Sequence, residues 1–165
     1  MDSGRTLDPT DARILLALAA EPRATVVALA ERLGLSRNTV QARLGRLEQE
    51  ALGSFERRIL PRAMGYRLTA FVTARVDQPR LAEVSEALSR IPEVVEVFGL
   101  SGETDLLVRV VACDAEDLYR IAGQILAIPY VERTATSLAM RELVPHRLTP
   151  LLHRAAGGGA PRGGR

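Results

Sequence analysis

The chain has 165 residues, 47% of them hydrophobic and 25% charged, a globular composition with room for one or two small cored domains. The formal net charge is only +2, so bulk electrostatics single out neither a nucleic-acid nor a membrane partner, and no apolar run approaches the roughly 18 residues of a membrane span. The polar opening residues do not resemble a secretory signal, and Cys113 is the single cysteine, so a cytoplasmic protein without a disulfide or a multi-cysteine metal site is expected.

Asp8-Pro9-Thr10-Asp11 supplies a cap, a proline at the first helical position and an acidic first turn. Ile14, Leu15 and Leu18 follow as the inward face of a first helix, which Pro22 ends. Thr25 caps a short second helix with Val26, Leu29, Ala30 and Leu33 inward, and Gly34 provides the turn out of it.

The third helix is the most telling segment. Ser36 is a good N-cap, Leu35 can staple onto Val40, and Val40, Leu44 and Leu47 share one face. At 100° per residue, Asn38, Thr39, Ala42 and Arg46 fall roughly opposite, with Arg37, Gln41 and Arg43 flanking, and no carboxylate lies within residues 36–47. A helix, a short helix, a glycine turn and a polar helix with an apolar rear stripe form a helix-turn-helix, whose last helix enters the major groove. In that reading Ser36, Arg37 and Arg43 clamp phosphate while Asn38, Thr39, Gln41 and Arg46 offer base contacts in double-stranded DNA. The alternative is an ordinary three-helix bundle with a solvated basic face. Residues 1–60 hold nine arginines against eight acids, so the cationic character is expected in this helix and at Arg57 and Arg58.

A boundary falls after Leu52-Gly53, which ends a DNA-binding domain over residues 1–53. Residues 54–66 read as an extended linker or wing, broken at Pro61, on which Arg57 and Arg58 either flank DNA or form a solvated edge.

From Leu68 the chain repeats with a 37-residue offset. Strand 68–76, helix 80–90 and strand 94–100 are answered by strand 105–112, helix 114–127 and strand 131–143, and Ile91-Pro92-Glu93-Val94 is answered by Ile128-Pro129-Tyr130-Val131. Two βαβ halves predict a ferredoxin-like antiparallel sheet with two helices on one face, over residues 67–148, so the chain is α+β. Helices cover only one face, yet strand 106–111 is apolar at nearly every position. A second copy is therefore expected on the other face, making a homodimer, with tetramers or octamers built from dimers as larger forms. Residues 149–165, Gly-rich at the end and closing with Arg162 and Arg165, read as a disordered tail, with His153 in it and His146 just before it as solvated histidines.

These features together resemble the leucine-responsive and asparagine-synthetase regulator (Lrp/AsnC) family of transcription factors. The residues carrying the resemblance are Leu7-Asp8-x-x-Asp11-x-x-Ile14-Leu15, Leu33-Gly34-Leu35-Ser36, Arg43-Leu44-x-x-Leu47-Glu48, Gly99 to Leu107, and Thr134-Ala135-Thr136. The resemblance implies a winged helix-turn-helix followed by a ligand-sensing and dimerisation module that responds to a small effector, an amino acid. On that analogy the loop at Gly102 holds the ligand carboxylate, and Asp105, Thr134 and Thr136 accept from its ammonium. Relatives often carry an aromatic residue where this chain has Thr104, which reshapes the pocket floor. The plainer reading is a tight hairpin turn, with Gly102 at positive φ and Asp105 bonded to the turn.

Two other classes share the architecture. Siroheme decarboxylases resemble both modules, but the wing segment here has no histidine to donate a proton. A nucleoid-architectural protein would keep the DNA contact and lose the effector. No catalytic constellation, cofactor motif or metal site is legible, so a non-enzymatic regulator is the expectation.

Overall fold

The computed structural model describes residues 6–159 and divides into two compact units, Met1–Phe55 with Val144–Arg165, and Glu56–Leu143. In the first unit, α1 (Pro9–Ala20) starts in a capping box: the Asp8 carboxylate accepts from the Asp11 amide at 2.8 Å, and Asp11 accepts back from the Asp8 amide at 3.3 Å. Helix α2 (Val26–Leu33) is capped by Thr25, which accepts from the Ala28 amide at 3.2 Å. Gly34 closes it at φ 66°, a left-handed turn that a side chain would strain. Helix α3 (Arg37–Glu50) follows, with the Ser36 hydroxyl accepting from the Thr39 amide at 3.1 Å. Two adjoining clusters hold the three helices together, Ala17 with Leu29, Ala30 and Val40, and Ile14 with Leu15 and Leu47. Burying each such aliphatic side chain contributes about 1.5–3 kcal/mol, so the apolar stripe of α3 is its anchor.

In the second unit the repeat forms as expected: β1 (Leu68–Val76), α4 (Leu81–Ser89), β2 (Val94–Gly99), β3 (Leu106–Ala112), α5 (Ala115–Leu126) and β4 (Val131–Leu138). The sheet runs β2-β3-β1-β4 with every neighbouring pair antiparallel. Val72, Ala74, Val108 and Val110 point to one face and pack under Val84, Leu88, Ile121 and Ile125. The halves differ at their helix starts. Asp114 caps α5 through the Asp117 amide, whereas the segment after Asp77 makes a 3-10 turn over Gln78–Arg80.

Three expectations are corrected. Residues 54–66 are not extended: they form 3-10 turns over Phe55–Arg58 and Pro61–Met64, the second closed by Gly65 at φ 95°. The last strand stops at Leu138 rather than at residue 143, because β1 begins at Leu68 and the ladder ends where the Ala139 amide meets the Thr69 carbonyl. The tail is not wholly unstructured, since Thr149–Ala156 forms α6, which belongs to the first unit and packs on α1. Pro150 looks like a helix breaker but sits at the helix start, where its missing N–H costs nothing, and Leu152 joins the Ile14, Leu15 and Leu47 cluster. Arg162 and Arg165 lie outside the described residues.

Candidate nucleic-acid interface and effector loop

The side of α3 opposite its anchor is built from small and polar residues. Arg37, Asn38, Gln41, Ala42 and Gly45 are exposed, Thr39 is half-buried, and the Ser36 and Thr39 hydroxyls are 2.8 Å apart at the helix start. A Cβ placed on Gly45 meets no atom within 4 Å, so nothing in the chain itself requires a glycine there. Ser36, Arg37, Asn38, Thr39 and Gln41 thus gather at the N-terminal half of one helix, where amide dipoles favour phosphate.

Arg43 and Arg46, expected as DNA contacts, each pair with carboxylates at the start of α1. Arg43 Nη1 lies 2.6 Å from Asp8 Oδ2 and 2.7 Å from Asp11 Oδ1, and Arg46 Nη2 lies 2.6 Å from Asp11 Oδ2. The reason is Asp11, which is 3% exposed and needs cationic partners once taken out of water. Burial works against ionisation of Asp8, but hydrogen bonds from the Arg43 guanidinium and the Asp11 amide outweigh it and hold its carboxyl below the ordinary aspartate range. Of the three arginines of α3, Arg37 alone has no carboxylate partner among the described residues. Arg57 is drawn to Glu96 at 3.7 Å, within the second unit, so it too is engaged by a carboxylate.

The second unit positions the expected effector residues as follows. Gly102 stands at φ 137° in the exposed loop between β2 and β3, which closes through the Leu100 amide on the Asp105 carbonyl at 2.8 Å. The Asp105 carboxylate reaches away from that turn. It accepts from the Val76 amide at 2.9 Å and from the Gln78 side-chain amide, and these two bonds hold it below the ordinary aspartate range. Thr104 is half-buried beside it. Thr134 stands opposite Ala74 and Thr136 opposite Val72, on the β4 side of β1, whereas Asp105 leads into β3 on the other side. Strand β1 therefore runs between the loop and the two threonines, and within one chain they do not form one cluster.

Sequence reasoning missed Gln78, and with it Arg80 and Tyr130. The Arg80 guanidinium lies 4.8 Å from the centre of the Tyr130 ring, and the Tyr130 carbonyl accepts from the Asp77 amide at 3.0 Å. The signal available was the unequal junction of the two halves, Asp77-Gln78-Pro79-Arg80 against Cys113-Asp114.

The sheet face away from the helices carries Phe71, Thr73, Phe98, Leu107 and Arg109, which are neighbours across the ladders. Phe71 is 36% and Phe98 49% exposed, and the Nε of Arg109 is buried without a hydrogen bond, although its Nη1 lies 3.2 Å from Glu96.

A helix-turn-helix beside a ferredoxin-like module defines a class of DNA-binding regulators, and comparison with known proteins places the chain within it. A winged helix-turn-helix DNA-binding model matches residues 7–50, and the Lrp/AsnC ligand binding domain model matches residues 69–149. The chain is 30% identical to the HTH-type transcriptional regulator FL11 of Pyrococcus horikoshii over 82% of its length and 90% of that protein's. It is 34% identical to the proline dehydrogenase transcriptional activator of Rhodobacter capsulatus over 84% and 93% of the two chains. The structure of a feast or famine regulatory protein of M. tuberculosis complexed with L-methionine superposes with a TM-score of 0.74 at 31% identity, covering 86% of this chain and 97% of that one. The chain belongs to the Lrp/AsnC family of transcriptional regulators, with a DNA-binding and a ligand-binding module. No described helix is long and apolar enough to cross a membrane, and among the described residues no cluster of three or more His, Cys, Asp or Glu is arranged to hold a metal ion.

Proposed function

We propose that this regulator reads DNA through the exposed strip Asn38, Gln41, Ala42 and Gly45 of α3, with Ser36, Arg37 and Thr39 on the phosphates beside it. The observation that carries this reading is the withdrawal of Arg43 and Arg46 to Asp8 and Asp11, which leaves a small, amide-bearing centre on the helix. Small residues let the backbone approach the groove floor, and Asn and Gln pair with adenine edges. Arg43 and Arg46 act as braces that fix the angle of α3 on α1.

Two copies pair through the open sheet face around Phe71 and Phe98, and this sets the spacing of two recognition helices for a two-fold operator. The effector is an amino acid, by analogy with the relative complexed with L-methionine. Its site is the Gly102–Asp105 loop, with Thr134 and Thr136 on the far side of β1 completing it from a neighbouring copy, so that ligand and assembly are linked. The protein acts in the cytoplasm, without an enzymatic step. Selecting genomic fragments on the purified protein, with and without pooled amino acids, tests the whole reading. Discrete palindromic sites whose occupancy changes with the pool are expected, and fragments recovered without sequence preference would overturn it.

A further inference from the structure

The first unit also carries a trough away from the exposed strip of α3. It has a volume of about 480 Å³ and lies against α1, α2 and α6, with Leu16, Ala20 and Leu33 supplying apolar surface. That volume falls within the range of small-molecule sites. Arg13, Arg32 and His153 are its ionisable residues, and no carboxylate lines it.

None of these three has a carboxylate partner among the described residues. Arg43, Arg46, Arg80, Arg90, Arg109 and Arg120 each have a carboxylate within 4 Å, whereas Arg13 and Arg32 have none among the described residues. Arg13 is instead fixed in place by donating to the Leu33 carbonyl at 3.1 Å, at the end of α2. The α6 side adds His153 and Thr149. Thr149 is the first residue of α6, whose amide dipoles favour negative charge, and the match to the family's ligand-binding domain ends at residue 149. His153 thus comes from chain beyond that domain.

Two guanidiniums without a carboxylate partner and an imidazole beside an aliphatic surface suit one ligand chemistry. We propose that the trough binds a small amphipathic carboxylate, its carboxylate among Arg13, Arg32 and His153 and its aliphatic body against Leu16, Ala20 and Leu33. A phosphodiester lacks the apolar body, and a neutral lipid lacks the charge. A ligand held there ties α6 to α1 and α2, and so stabilises the folded DNA-binding unit by mass action. This second ligand site is independent of the loop at Gly102.

Titrating the full chain with octanoate, octanamide and acetate by calorimetry tests the proposal. One octanoate per chain is expected with a Kd of about 1 mM or tighter, and octanamide and acetate at least about tenfold weaker. Arg32 and His153 are exposed, so Arg32→Ala and His153→Ala leave the fold intact, and each weakens octanoate at least about tenfold; Arg90→Ala, in the other unit, changes nothing. No binding of octanoate, equal binding of octanamide or acetate, or an affinity that both trough variants leave unchanged overturns it.

Discussion

Arg46 Nη2 sits 2.6 Å from the Oδ2 of Asp11, a carboxylate that is 3% exposed, so the last arginine of α3 braces the helix against α1. Removing one member of such a pair leaves a buried polar group short of a partner. Arg46→Ala is expected to lower the stability of the DNA-binding unit by about 1–3 kcal/mol, read from urea unfolding. A fully solvated arginine would cost nothing measurable.

The pairing also makes stability depend on pH. The Asp8 carboxyl titrates below its ordinary value of 3.8, so its contribution is complete at neutral pH and is lost as pH falls through the depressed value. In Arg43→Ala the main partner is gone. The stability gap between wild type and this variant is therefore expected to be widest near neutrality and to narrow below about pH 4, as urea midpoints across pH show.

Asp105 ties the β2–β3 loop to the end of β1 through the Val76 amide and Gln78. Asp105→Ala loosens that tie far from α3 along the chain. Half-site DNA affinity is expected to stay within about twofold of wild type while the response to the effector disappears, a split measured by titrating one labelled half-site with and without amino acid.

Phe71 lies opposite both Arg109 and Ser137 on the face without helices. Phe71→Glu places a charge where a partner sheet is proposed to pack. Sedimentation is expected to give a dimer for wild type and a monomer for the variant at micromolar concentration, and a monomeric wild type contradicts the pairing.

Much of this was legible in the residues, and what escaped has a physical cause. Period-two and period-3.6 patterns, reinforced by a 37-residue repeat, located α1 to α5 and the strands because local burial follows such patterns directly. The caps at Asp8, Thr25 and Ser36 were equally readable, since each bond closes within three residues. The partners of Arg43 and Arg46 were not. A helical wheel ranks residues by angle, but a long guanidinium reaches back across its flank, and Asp11 is 32 residues from Arg43 along the chain. Helix α6 was hidden by Pro150 and a glycine-rich ending, and it forms because Leu152 finds a core contributed by α1 and α3. The turns of residues 54–66 look extended in sequence because arginine-rich, Pro-broken segments carry no period that separates a strand from tight turns.

The most direct test compares the base preferences of wild type, Gln41→Ala and Arg46→Ala by selection from a random DNA pool. The account predicts that Gln41→Ala relaxes preference at one or two positions of each half-site, by about 1–3 kcal/mol, while Arg46→Ala keeps the wild-type motif and loses only stability. A motif unchanged in Gln41→Ala but altered in Arg46→Ala would contradict the reading of α3.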